Sequence, residues 1–170
     1  SSFEAMVMMA DLGATPTPTE VAETMEVRAH LEVLSVRLAC QRRDDKDLQR
    51  MTQVMESTEK VLAADGNIAE EDTAFHIALV DATHNSVLVR VLNAFYRFTA
   101  KRRVLLFSNR DQAKASARDH RKLIELIRQR DEDKAAALIL NHMHRARTYW
   151  STVLGEPSER TARAGRSRRA

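Results

Sequence analysis

Apolar positions recur at three- and four-residue spacing along almost the whole chain, and no stretch alternates with the period of two that marks a strand. Residues 2–12 predict a short helix closed by Gly13, with Met6 and Met9 on one face. Prolines in Ala14-Thr15-Pro16-Thr17-Pro18 predict a non-helical linker, with Thr19 as the next N-cap and Glu20 in the first turn. A long helix is predicted over 20–42, with the stripe Val27, Leu31, Leu34, Leu38 inward. Asp44 or Asp45 opens the next, over 46–64, with Leu48, Met51, Met55, Val61 and Leu62 as its apolar positions. Asp65-Gly66-Asn67 breaks it. A central helix follows over 68–83, interrupted at His84-Asn85-Ser86. The helix predicted over 86–108 carries Leu88, Val91, Phe95, Phe98, Arg102 and Leu106 on one face. Two more cover 113–129 and 132–153, the second capped by Asp131 and ended by Gly155-Glu156-Pro157.

These elements predict an all-α fold, an antiparallel bundle of six to seven helices with short connections. The domain reading is an N-terminal helix and linker over 1–19, a helical domain over 20–154 and a basic, disordered tail over 155–170.

Composition agrees with this picture. Four glycines and three prolines in 170 residues leave few turns, and hence few strands. Hydrophobic residues make up 44% and charged residues 30%, as in a globular domain with a full core. Aromatics are 5%, which argues against a stacking platform for single-stranded nucleic acid. The net charge is +3, but five arginines fall in the last eleven residues (Arg160, Arg163, Arg166, Arg168 and Arg169), and without those residues the rest is slightly acidic. A single cysteine excludes an internal disulfide, and no apolar run approaches a membrane span. Neither a membrane partner nor a secretory leader is expected, and the cytoplasm is the expected compartment.

The chemistry centres on Asp72-Thr73-Ala74-Phe75-His76. On a helix, Asp72 and His76 share one face with Phe75, Leu79 and Val80, an apolar surface on which polar groups need partners. Two later helices supply them. His120 lies on the face of Leu123, Ile124 and Ile127, and His142 on that of Ala135, Leu138 and Ile139. One carboxylate and three imidazoles therefore point into the bundle, where facing helices can build a metal site. The alternative is that each histidine is a hydrogen-bonded core residue, and the pattern alone leaves both open. His144 and His30 are expected at the surface and His84 at a helix end. Arg28 and Arg102, on or beside apolar stripes, either cover apolar surface with their stems or grip a carboxylate in the cavity.

In order and spacing these residues resemble the C-terminal, effector-binding FCD domain of GntR-type bacterial transcription regulators of the FadR subfamily. The resemblance rests on Glu26-Val27-Arg28 with Leu31-Glu32, on Asp72-x-x-Phe75-His76, and on Ala82-x-x-Asn85-x-x-Leu88. It continues through His120 with Leu123-Ile124, Asp131-x-x-x-Ala135 and His142-Met143. It covers about 20–150 and departs from the family at Met143 and in the tail. It implies a divalent metal on Asp72, His76, His120 and His142, with zinc first and nickel, manganese or iron as alternatives. It further implies a small organic acid effector near Arg28, Arg102 and Asn85, a homodimer, and operator DNA bound only through an N-terminal winged helix-turn-helix that is absent from this chain. No catalytic residue is implied. Two rivals remain at this level: a helical-bundle metalloenzyme of hydrolase type, and a purely structural helical module. The inward faces offer no second carboxylate to serve as a free base, which counts against the enzyme.

Overall fold

Thr17 opens the first long helix: its hydroxyl accepts from the Glu20 amide, and the Glu20 carboxylate accepts from the Thr17 amide. Pro18 then sits at the first helical position, where a missing N–H costs nothing. The cap is therefore Thr17, two residues before the expected Thr19. The structure, a computed structural model, describes residues 2–14 and 17–153. The end of the last helix at Gly155 and the tail lie outside the described residues.

Among the described residues there are eight helices and no strands: α1 (Phe3–Asp11), α2 (Pro18–Arg42), α3 (Asp45–Ala63), α4 (Ala69–Asp81), α5 (Ser86–Phe98), α6 (Ala100–Phe107), α7 (Arg110–Gln129) and α8 (Glu132–Val153). The expected helix over 86–108 is two helices. The helical backbone is interrupted at Thr99, with φ −98° and ψ 5°, where the hydroxyl donates to the Phe95 carbonyl. Asn109 caps α7 through the amides of Asp111 and Gln112, so α7 starts three residues before the predicted 113.

α2 and α8 form the most extensive helix pair, followed by α3 with α4 and α7 with α8. The main core joins Val36, Met51, Phe75, Leu79, Leu123 and Ile139 from α2, α3, α4, α7 and α8. A second cluster fastens α1 to this body: Val7 packs with Val21, Met25, Phe98, Met143 and Trp150, and Phe3 packs against the Phe95 and Phe98 rings. Met9 is exposed and Met6 only half-buried, so α1 docks through Phe3 and Val7 rather than a methionine face.

The stripes expected on α3, α4, α7 and α8 are buried or half-buried as predicted, whereas two others are displaced. On α2, Val27 and Leu34 are 51% and 45% exposed, and the buried face is Val21, Met25, Arg28, Glu32, Val36 and Ala39. The aliphatic row lay one helical face away from a core-facing row that contains two charges. On α5 and α6 the inward positions are Leu92 and Arg103, each one residue beyond the predicted Val91 and Arg102.

Candidate metal centre

Asp72 stands in the first turn of α4 and His76 one turn later, on the face that also buries Phe75 and Leu79. α7 brings His120 and α8 brings His142 to the same point. All four side chains are buried, and one donor atom from each lies within 4.8 Å of every other. Donors about 2.1 Å from a shared ion stand at most ~4.2 Å apart, so a small contraction of this cluster would seat one. Asp72 is 3.5 Å from His120 Nε2 and 3.9 Å from His76 Nε2.

The outer nitrogens are held by carboxylates. His76 Nδ1 is 3.1 Å from both oxygens of Glu32. His142 Nδ1 is 3.2 Å from Asp119, which also meets Arg145. An imidazole that donates its Nδ1 proton outward presents the Nε2 lone pair inward, which is the arrangement a metal ligand needs. His120 is fixed by its ring, stacked 3.9 Å from Phe75. Burial pushes His120 well below the usual imidazole range and lowers His142 as well, so these rings are neutral and able to coordinate. The chemistry of the donor set, three imidazoles and one carboxylate, thus fits a divalent transition metal.

Glu32 is the residue that sequence reasoning missed. It is fully buried and accepts from Arg28 Nε and a terminal guanidinium nitrogen at 3.2 Å, from the Tyr96 hydroxyl at 3.1 Å and from His76. Burial would raise its carboxyl, but His76 and Arg28 outweigh it and hold it at about 2. The expectation that no inward carboxylate accompanies Asp72 is therefore wrong. Glu32 nevertheless offers no free base, because both its oxygens are engaged. The available signal was its four-residue spacing from Arg28, inside the quoted Glu-x-Arg-x-x-Leu-Glu motif.

Asp72 accepts from Arg103 Nε at 2.9 Å and from the Ser116 hydroxyl at 2.9 Å. Burial opposes its ionisation, and the neighbouring imidazoles with Arg103 overcome that and keep the carboxyl well below its usual range. Burial and the nearby Arg28 lower Arg103 to about 10, still cationic at neutral pH. Both guanidinium groups lie over the Tyr96 ring, at 4.9 and 5.8 Å.

Of the other predicted site residues, Arg28 joins the cluster through Glu32. Arg102 is half-buried and does not line the cavity beside the cluster, whereas Arg103 does. Asn85 caps α5, its side-chain oxygen accepting from the amides of Val87 and Leu88. His30 and His144 are exposed. His84, at φ 51°, ends the α4 region and pairs with Asp47 at 2.9 Å.

The cavity occupies about 30 Å³ between α2, α4, α6, α7 and α8. Arg28, Arg103 and Arg145 line it, with apolar walls from Met25, Leu106 and Phe107. That volume holds one or two waters.

Residues 23–145 match the FCD domain family. The chain is 27% identical over 146 residues to an uncharacterised HTH-type transcriptional regulator, YdhC, of Bacillus subtilis strain 168, covering 84% of this chain and 65% of that protein. Against the HTH-type transcriptional regulator LutR of the same organism, identity is 28% over 73% of this chain and 59% of the relative. The Nta operon transcriptional regulator of Aminobacter aminovorans is 29% identical over 71% of this chain and 56% of its own length. The chain thus spans between 56% and 65% of these relatives. A solved structure of Streptococcus agalactiae GntR superposes with a TM-score of 0.64 at 22% identity, over 75% of this chain and 58% of that one, which shows a shared fold.

Proposed function

The chain belongs to the FCD domain family, the effector-binding domain of GntR-type transcription regulators, and from that premise we propose that it senses a small organic acid at a metal held by Asp72, His76, His120 and His142. The observation that carries this reading is the buried convergence of the four donors, with carboxylates behind two of the imidazoles. Three nitrogens and one oxygen suit zinc first, and nickel, manganese or iron next.

When bound, the ion supplies positive charge and an attachment point for a carboxylate. The protein's own groups do the rest. Glu32 and Asp119 orient the rings of His76 and His142. The charges of Asp72 and Glu32 are balanced by Arg103 and Arg28, so the cluster is close to neutral before an ion enters. A divalent ion leaves an excess of positive charge in a dry site, which an organic anion relieves. Arg28 and Arg103 face the cavity and would orient that anion, the role first assigned to Arg102 passing to Arg103. Asn85 serves α5 as a cap. The 30 Å³ cavity is too small for an acid of several carbons, so binding must part its walls. Those walls include Met25 of α2 and Met143 and Trp150 of α8, and α1 packs against the same three residues through Val7. Ligand binding would thereby shift the packing of the segment that precedes the domain.

The relatives are named regulators, and the locked Glu32 gives a hydrolase no base, so a sensor is the reading that fits. Operator recognition is proposed for a part of the regulator outside residues 23–145, and the working compartment is the cytoplasm, where an operator lies. No helix among the described residues is long and apolar enough to cross a membrane. The test is thermal melting of the zinc-loaded and the chelated protein across a panel of small mono- and dicarboxylic acids. At least one acid should raise the melting temperature of the zinc form only. An acid that stabilises the chelated protein equally would overturn metal-anchored sensing.

A homodimer is supported by an outward apolar row. α2 meets the α5 cluster through Leu31 and Leu38, and this contact is flanked by exposed Val27 and Leu34 on α2 and Val87 and Val91 on α5. The expected result in sedimentation is a dimer at micromolar concentration that Leu34→Glu with Val91→Glu converts to a folded monomer. A wild-type monomer under the same conditions would dispose of the dimer.

A further inference from the structure

Most polar groups lining the cavity are already engaged. Arg28 is tied to Glu32, Arg103 to Asp72, Arg145 to Asp119, and Ser116 donates to Asp72. Trp150 differs. It lines the cavity, is 3% exposed, and its indole Nε1–H is buried without an acceptor. A buried donor left unpaired costs free energy that a native structure rarely leaves unrecovered. Trp150 also has a definite place relative to the metal cluster. It follows His142 by eight residues on α8, with Ala146 midway, so all three share one face. Eight residues span roughly 12 Å along the helix axis. Helical side chains at both positions lean toward the N-terminus, so the imidazole and the indole keep roughly that axial offset. Apolar groups of Met25, Leu106 and Phe107 line the space beside this face.

We propose that Trp150 reads the far end of the effector, its indole N–H donating to an oxygen a few bonds away from the carboxylate held at the Asp72–His76–His120–His142 cluster. This rests on the acid-sensing reading above and narrows the ligand class. The acid carries a short apolar stem and a second acceptor at its distal end, as a C4 to C6 dicarboxylate does. A monocarboxylate of the same length would leave the indole unpaired.

Succinate and butyrate make the test, since they have four carbons each and differ in that distal acceptor. Trp150 is the sole tryptophan of the chain, so its indole N–H gives one identifiable resonance and its fluorescence reports the site alone. In the zinc-loaded protein, succinate or its longer homologues should move the indole proton downfield and slow its exchange with solvent, while butyrate should not. Trp150→Phe keeps a ring and removes the donor. It should retain full zinc content and lose on the order of ten-fold in dicarboxylate affinity, with butyrate affinity unchanged. An unchanged succinate-to-butyrate ratio in Trp150→Phe, or dicarboxylate binding that leaves the indole resonance in place, would overturn the assignment. So would a zinc-loaded protein that binds monocarboxylates only. Should Trp150→Phe fail to fold, the resonance experiment on the wild-type protein decides alone. Failure of the underlying reading shows itself separately, as absence of zinc or of any bound acid in the wild-type protein.

Discussion

His120→Ala is expected to abolish metal binding and with it the metal's contribution to stability. His120 is fully buried, lies 3.5 Å from Asp72 and would supply the ligand from α7. Removing one of four donors leaves water in its place and takes the affinity out of the useful range. A ligand present at a thousand times its dissociation constant stabilises the folded state by about 4 kcal/mol. In a domain of this size each kcal/mol moves the melting temperature by roughly 2–4 °C, so zinc should raise wild type by about 10 °C and leave the variant unmoved. The variant also loses the ring stacked on Phe75 and should melt somewhat below wild type even in chelator. His144→Ala, at an exposed position two residues from His142, is the control and should behave as wild type in both conditions. Elemental analysis and melting curves with and without zinc make the measurement. A His120→Ala protein that keeps an equimolar ion would remove His120 from the site.

Glu32→Ala should be the most destabilising single change at the site. It strips the counter-charge from Arg28, which is 3% exposed, and leaves the Tyr96 hydroxyl and His76 Nδ1 without their acceptor. Breaking a buried ion pair from one side costs about 3–5 kcal/mol, because the surviving charge stays buried without compensation. Glu32→Gln tests the second role. It preserves shape and one acceptor, but it no longer holds His76 as a carboxylate does. Loss of such an outer partner lowers metal affinity by about 10–100-fold. Urea unfolding of the chelated protein reads the first effect and competitive zinc titration the second. If Glu32→Ala unfolds like wild type and Glu32→Gln binds zinc like wild type, Glu32 holds neither the fold nor the site.

Glu32 also shows how far sequence could be read. The three imidazoles were legible because each has aliphatic residues three and four positions away, so that direction follows from periodicity, and Asp72 because it stands one turn before His76. The same rule misled on α2. There the most aliphatic row, Val27 to Leu38, turns partly outward, and the core-facing row holds Arg28 and Glu32, which neutralise each other. A hydrophobicity pattern cannot see that two opposite charges four residues apart can be buried as one neutral unit. The shift from Arg102 to Arg103 has a similar origin. Leu92 and Val91 fit the periodicity equally, and the break at Thr99 has no strong sequence mark. Asp119 was overlooked because it stands one residue before His120, on an edge of α7 that meets His142 only when α8 packs beside it.

The donors come from α4 and from the consecutive pair α7 and α8, which α5 and α6 separate from α4 in the chain. An ion joining them would act as a cross-link holding α4 to the α7–α8 pair, and it would favour the folded chain as well as the liganded one. Sensing and abundance would then share the same four side chains. In a metal-poor cell, the chain would be cleared by proteolysis at a higher rate, so its copy number would itself carry information about metal supply.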